Sequence, residues 1–264
     1  MTIELIRVQA ADPHATIVLV HGAWHGAWCW QDGFAQRLAA SGISSVALSL
    51  PEHAGSTTGE RLNRLRMRDY VGAVSEVVGS LDQPYLAGHS MGGGVVQGFL
   101  SLDDRPPIAG AALLASMPPR GVIGVTLEVA RNTPLRFLRM NATWNLGLLV
   151  RTPEQVRGLF FRDATSAAIV DATSARVQAE SYRAFLDMLV LDRPQPRPLE
   201  VPLLVLGAGE DAIFTRADVA ATAAAWGTQP VMIENLGHDV MLDDGWEQVA
   251  DELIGWVATT AATS

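Results

Sequence analysis

The sequence contains no lysine: all 19 of its basic side chains are arginine. That absence excludes Schiff-base catalysis and a lysine general base. A single cysteine, Cys29, stands alone in 264 residues, so no internal disulfide can form and nothing points to an oxidising compartment. No apolar run approaches the roughly 18 residues of a membrane-spanning helix, and the N-terminus lacks the basic start and apolar core of a secretory signal. A cytoplasmic protein with no membrane partner is expected. Positive charge is scarce as well: 28 acidic groups against 19 arginines leave a net charge of -9 and a pI near 5.1. Such a surface repels phosphate backbones and argues against a nucleic-acid partner.

What is present is apolar and patterned. Hydrophobic residues make up 48% of the chain and charged residues 18%, enough to bury a large core in one domain. Short apolar runs at Ile3 to Val8, Thr16 to Val20, Ile43 to Leu50, Tyr85 to Ala87, Ile108 to Ala115, Leu203 to Leu206 and Val231 to Ile233 read as strands. Several are apolar throughout, as strands covered on both faces must be. Helical patterns fall between them, near Trp28 to Ser41, Arg68 to Leu81, Ser90 to Leu102, Arg216 to Trp226 and Trp246 to Ala258. This alternation predicts an α/β fold with a mostly parallel central sheet flanked by helices.

Residues 117–198 break the alternation. They read as several short helices with no strand, opened by Pro118-Pro119 and closed by the stiff run Arg193-Pro-Gln-Pro-Arg-Pro198. Within them Thr152-Pro153-Glu154-Gln155 supplies an N-cap, a first-turn proline and a capping-box glutamine. A helical cap over residues 117–198, inserted into a core of residues 1–116 and 199–264, is expected.

Directly after the strand ending at Ala87 comes Gly88-His89-Ser90-Met91-Gly92, and a helix follows. A nucleophilic serine must stand clear of the sheet on a tight strand-to-helix turn, and the flanking glycines let strand and helix approach each other. Ser90 is the candidate nucleophile; His89 reads as packing within the turn. The strand ending at Val20 runs into His21-Gly22-Ala23-Trp24-His25-Gly26. Here backbone donors can face a developing oxyanion, and the N–H groups of Ala23 and Met91 are the candidates, with Trp24 as the alternative to Ala23. His21 and His25 stand four apart, a metal-binding spacing on a helix. The glycines make this a loop and no acidic partner completes the motif. Both histidines are expected to hydrogen-bond the loop, and neither metal nor cofactor is expected. Trp28 and Trp30 read as core.

The strand ending at Leu206 leads to Gly207-Ala-Gly-Glu-Asp211, and the last strand to Asn235-Leu-Gly-His238-Asp239. Both fall on the sheet edge that carries Ser90, where α/β proteins gather their reactive groups. Asp211 and His238 are the candidate acid and base, with Glu210 the nearest rival for the acid and Asp239 and Asp243 expected as surface rivals. The order Ser90, Asp211, His238 suits acyl transfer: the base takes the serine proton, and the carboxylate fixes its tautomer.

The segment His21-Gly-Ala-Trp-His-Gly-Ala-Trp-Cys-Trp30, with these motifs, resembles the α/β-hydrolase superfamily, in particular the branch of methylesterases and hydroxynitrile lyases and related bacterial esterases. The resemblance covers residues 1–116 and 199–264. Hydroxynitrile lyases of this branch have threonine in place of Gly22 and lysine in place of Asp239; both differences favour ester hydrolysis, since lysine stabilises departing cyanide and an aspartate there would repel it. The resemblance implies an esterase working through an acyl-enzyme. A lactone, a thioester or the carbon–carbon bond of a diketone is the alternative target, and a hydrolase-like binding protein that turns over slowly is the alternative of another class.

The substrate is expected to be a small apolar ester. The cap is dense in large apolar side chains, and Trp24, His25, Phe137, Met140 and Trp144 are its candidate pocket residues; its apolar surface would also support a homodimer. Arg61, Arg64, Arg66 and Arg68 could attract a carboxylate or a coenzyme A ester, though a solvated loop is the plainer reading.

Overall fold

The computed structural model describes residues 2–261. Seven strands form one sheet: β1 (Leu5–Val8), β2 (Ala15–Val20), β3 (Ile43–Leu48), β4 (Tyr85–His89), β5 (Gly110–Leu114), β6 (Leu203–Ala208) and β7 (Pro230–Ile233). Their order is β1-β3-β2-β4-β5-β6-β7. β1 pairs antiparallel with β3, and every other pairing is parallel. β4 therefore lies near the centre of the sheet, between β2 and β5.

The alternation of side chains along each strand builds two cores. Val18, Val20, Leu86, Leu113 and Val205 face one side, against α2 (Met67–Gly79), α3 (Met91–Leu100) and α9 (Arg216–Ala225). Ile17, Leu19, Ala87, Leu114 and Leu206 face the other, against α1 (Phe34–Ala40) and α10 (Trp246–Ala261). Burying one such side chain stabilises the fold by roughly 1.5–3 kcal/mol before chain entropy is counted. No described helix is long and apolar enough to cross a membrane.

The helix expected from Trp28 to Ser41 is divided. A single 3-10 turn, Ala27–Trp30, precedes α1, and Gly33 separates them at φ +106°. That conformation is closed to a helix, and a Cβ there would lie 2.6 Å from the Trp246 ring. Trp28 and Trp30 are core residues, as their sequence context suggested.

Between β5 and β6 the described chain is helical: α4 (Ile123–Asn132), α5 (Pro134–Thr143), a 3-10 turn Leu146–Leu149, α6 (Pro153–Phe160), α7 (Ala167–Ser174) and α8 (Tyr182–Leu186), which runs on through a π-helical turn, Asp187–Leu191. Thr152 caps α6 and Pro153 opens it. Gln155, however, accepts from the Arg151 N–H at 2.9 Å, one residue before the N-cap. Two small apolar clusters hold these helices together, one around Val156 and Phe160, the other around Met140 and Tyr182. Trp24 packs against both and against the core of the body.

Candidate active site

Ser90 links β4 to α3 with φ 53° and ψ -117°, a left-handed conformation that costs a side-chain-bearing residue about 1–3 kcal/mol. The surroundings hold it there. Its N–H donates to the Leu114 carbonyl at 3.1 Å, and its own carbonyl accepts from Gly94 at 3.2 Å and Met117 at 3.2 Å. The glycines are needed for contact: a Cβ on Gly88 would lie 2.3 Å from the Gly92 carbonyl oxygen, and one on Gly92 would lie 2.4 Å from that of His21.

β6 and β7 deliver the other two groups to the same edge. His238 Nε2 lies 2.8 Å from Ser90 Oγ, and its Nδ1 lies 2.9 Å from Asp211 Oδ2 and 3.0 Å from Oδ1. Asp211 also accepts from the N–H groups of Ile213 at 2.7 Å and Phe214 at 3.0 Å. Its carboxylate is thereby aimed before the histidine is considered, and Thr215 performs the capping of α9. Because an ionised carboxylate only accepts, His238 Nδ1 carries the hydrogen and Nε2 is left to accept the serine proton.

The rival acids are placed elsewhere. Glu210 is exposed and stands 3.8 Å from Arg162. Asp239 and Asp243 were expected at the surface, and both are fully buried. Asp243 accepts from Gly237 N–H at 2.6 Å and from Arg162 Nε at 3.2 Å, fixing the turn that leads into His238. Asp239 points beneath the site, where its Oδ2 accepts from His25 Nε2 at 3.0 Å. It is not among the residues that line the pocket above Ser90.

The loop after β2 is organised by its histidines. His21 Nδ1 donates to the Gly22 carbonyl at 2.7 Å, while its Nε2 accepts from Leu50 N–H at 2.9 Å. Burial, then the neighbouring His53, holds the His21 pKa well below its ordinary value, as a ring that must accept requires. A planar trans peptide sets C=O and N–H on opposite sides. Pinning the Gly22 carbonyl on His21 therefore turns the Ala23 N–H the other way. Met91 opens α3, so its N–H has no partner within the helix. Ala23 and Met91 both line the pocket beside Ser90. His89 Nε2 donates to the His238 carbonyl at 2.9 Å. Its pKa falls to about 3, through burial and then the proximity of His238, so it serves as a neutral prop.

The pocket above Ser90 encloses about 670 Å³, part of it open to solvent. Of the candidate pocket residues, Trp24, Phe137 and Met140 line it. His25 and Trp144 do not. His25 is 1% exposed and lies behind the loop, its ring drawn inward by Asp239. Trp144 is 51% exposed and stacks on the outer face of Tyr182 with ring centroids 5.2 Å apart. Leu146 and Leu149 in the 3-10 turn, part of the apolar run in the cap, line it too, while other walls were not singled out from the sequence, among them Val122, Val125 and Val129 on or beside α4, Leu159 on α6, Phe185 and Met188 around α8, and Ile213 and Phe214 beside Asp211. No lining residue is charged.

Two other expectations concern ligands. Arg66 forms an ion pair with the buried Asp187, with Nε–Oδ2 3.1 Å, and Arg64 stands 3.7 Å from Glu60, so these two face neighbouring acids. Among the described residues one group of three could ligate a metal: His89, His238 and Asp239, with ligand atoms within 4.8 Å of one another. Both His238 nitrogens are already engaged by Ser90 and Asp211. Cys29 is buried, which pushes its thiol well above the ordinary range and leaves it unreactive.

A profile of the alpha/beta hydrolase family matches residues 17–252. Phospholipase YtpA of Bacillus subtilis (strain 168) is 27% identical over 220 residues, spanning 79% of this chain and 80% of its own. The pFDCC methylesterase MES16 of Arabidopsis thaliana is 27% identical over 216 residues, spanning 77% of this chain and 79% of its own, in keeping with the branch that the loop after β2 resembles. Among solved structures, a thermophilic esterase from Thermogutta terrifontis superimposes with a TM-score of 0.74 at 19% identity, over 98% of this chain and 94% of that one, a likeness of fold. The chain therefore belongs to the alpha/beta hydrolase family, as an enzyme of the ester-hydrolysing type.

Proposed function

We propose that the protein cleaves small carboxylic esters with apolar substituents through an acyl-enzyme on Ser90. The observation that carries this reading is the continuous chain Ser90 Oγ, His238, Asp211, with contacts of 2.8 and 2.9 Å, opening into a pocket without a charged wall. As Ser90 Oγ attacks the carbonyl carbon, His238 Nε2 takes its proton, and Asp211 stabilises the imidazolium without becoming protonated. The carbonyl oxygen, now negative, accepts from Ala23 N–H and Met91 N–H, and each such donor is worth on the order of 10² to 10³ in rate. Collapse expels the alcohol, which receives the proton from His238. Water then repeats the sequence on the acyl-enzyme and releases the acid. Residues 117–198 act as a cap whose apolar inner face selects the substrate and excludes water from the charged intermediate.

Fluorophosphonate labelling followed by peptide mass spectrometry tests the nucleophile. An adduct on Ser90, absent in His238→Ala, is the expected result, and folded protein with no adduct would favour the binding-protein reading. Ser90→Ala and His238→Ala each lose on the order of a thousandfold or more in kcat with folding intact. A panel of nitrophenyl esters, lactones and diketones tests the bond; activity confined to diketones overturns ester cleavage.

A further inference from the structure

We propose that His25 and Asp239 are positioning residues of this site, a buried clamp that holds the oxyanion loop in register with the loop of the base histidine. His25 lies two residues after Ala23, and Asp239 directly follows His238. Their contact of 3.0 Å thus joins two loops that are 214 residues apart in the chain. The other ring nitrogen, His25 Nδ1, reaches the Ala23 carbonyl at 2.8 Å. With His21 fixing the Gly22 carbonyl, both peptides that flank the Ala23 Cα are pinned, and the direction of the Ala23 N–H is set from either side. The Asp239 backbone cannot drift: its N–H donates to the Phe160 carbonyl at 3.0 Å, and its carbonyl accepts from Leu242 and Asp243, each at 2.9 Å.

The charge state follows from the partners. A carbonyl can only accept, so Nδ1 carries a hydrogen, and an ionised Asp239 requires a second on Nε2. Burial opposes a charged ring, but the Asp239 carboxylate and the Ala23 carbonyl outweigh it and raise the His25 pKa. Burial likewise opposes the Asp239 anion, and the charge and hydrogen bond of His25 outweigh it and lower that pKa. The pair is imidazolium and carboxylate. A buried ion pair is a poor way to gain stability, because well-packed apolar residues of the same volume do as well or better. Its return here is geometric. It is electrostatic too, since Asp239 Oδ1 has no hydrogen-bond partner among the described residues and the carboxylate lies beside His238, whose positive charge grows as the serine proton arrives.

The inference rests on the esterase reading, and two substitutions separate their failures. Asp239→Asn keeps the contact, since an amide can donate to a neutral His25 Nε2 while Nδ1 still holds Ala23; Asp239→Ala removes the contact altogether. Kinetics on a nitrophenyl ester and inhibition by phenylboronic acid, whose tetrahedral adduct places an oxygen where the oxyanion forms, are measured for both. Asp239→Ala is expected to lose on the order of a hundredfold in kcat, with KM changed by less than about threefold and boronate affinity falling in step. Asp239→Asn is expected to recover most of that loss; by ¹H–¹⁵N spectroscopy the His25 ring is expected to carry two protons in the wild type and one in this variant. A folded Asp239→Ala enzyme with wild-type kcat and boronate affinity, or a loss confined to KM, overturns the clamp. If Asp239→Ala does not fold, His25→Gln decides by the same readouts. A wild-type protein silent towards esters and fluorophosphonate sinks the esterase reading itself, a different result from an active wild type with unaffected variants.

Discussion

Helices α4 and α5 line the same pocket as α6 and α8 and are held by different forces. α4 buries none of its residues fully and α5 only Met140, while Leu127, Leu135 and Leu138 remain 59%, 83% and 64% exposed. The side-chain hydrogen bond of Thr126 stays within α4. The region around α8, by contrast, is bolted to the body through buried polar groups. Glu180 accepts from His53 Nε2 at 2.9 Å and Tyr70 Oη at 2.8 Å, Asp187 takes Arg66 and the Met67 N–H, and Ser181 Oγ donates to the Leu65 carbonyl at 2.7 Å. Apolar contact is non-directional and tolerates sliding; buried hydrogen bonds have one geometry and are costly to leave unmade. The first half of this segment has fewer such ties, with Tyr182 Oη donating to Asn141 Oδ1 at 2.6 Å and Asn63 Nδ2 to the Trp144 carbonyl at 2.9 Å, both on α5 or its C-cap. The second half also reaches Trp24, whose carbonyl accepts from the Gln178 N–H at 2.9 Å, while its indole N–H donates to the Leu146 carbonyl, in the turn between the two halves, at 3.2 Å.

The largest effect expected from this contrast is at Glu180. Glu180→Ala strands the His53 ring, the Tyr70 hydroxyl and the Ser181 N–H in a dry interior, and it should cost about 3–5 kcal/mol in urea unfolding. A loss below about 1 kcal/mol would mean that the polar bolts are idle and the two halves are held alike.

A second test uses pH. Burial opposes the charged His53 ring, yet Glu180 and two backbone carbonyls outweigh it and raise the His53 pKa above 6.5; burial opposes the Glu180 anion, yet His53, Ser181 and Tyr70 draw its pKa below 4.5. The Glu180 contribution is complete above 4.5 and disappears as pH falls through its lowered folded value. The His53 contribution is complete below 6.5 and disappears as pH rises through its raised folded value. The stability difference between wild type and His53→Gln/Glu180→Gln should therefore be greatest between pH 4.5 and 6.5 and shrink on both sides. Thermal unfolding across pH measures it, and a flat difference sinks the ion-pair account.

The same contrast marks what the sequence could reveal. All seven strands and the Ser90 turn were legible because each is written locally, in a short apolar run or in glycines beside a serine. Asp239 and Asp243 read as surface residues because a charged side chain in a loop is usually solvated, and only distant partners, His25 and Arg162, make their burial tolerable. Trp144 read as pocket on its size, yet its place is decided by Tyr182, which lies outside that stretch of sequence. The α4 wall carried a usable signal: Val122, Val125 and Val129 recur at helical spacing, which marks one face. Nothing local indicated that this face, rather than that of Leu127, turns towards Ser90.

The smallest effect lies on α4 itself. Leu127 and Val129 are two residues apart and point in different directions, one 59% exposed and the other into the pocket. Leu127→Ala should alter unfolding free energy by no more than about 0.5 kcal/mol and leave kcat/KM for every ester unchanged. Val129→Ala removes two methyl groups from the wall while disturbing few packed neighbours, so stability should again barely move. Its effect belongs to selectivity: a pocket distinguishes one methylene by about 1–3 kcal/mol at best, and the enlarged wall should shift preference towards the next longer acyl chain by roughly threefold to tenfold. A chain-length series of nitrophenyl esters measures both variants. Equal responses at the two positions would mean that α4 presents no fixed face, and the assignment of Val129 rather than Leu127 to the pocket wall would lose its basis.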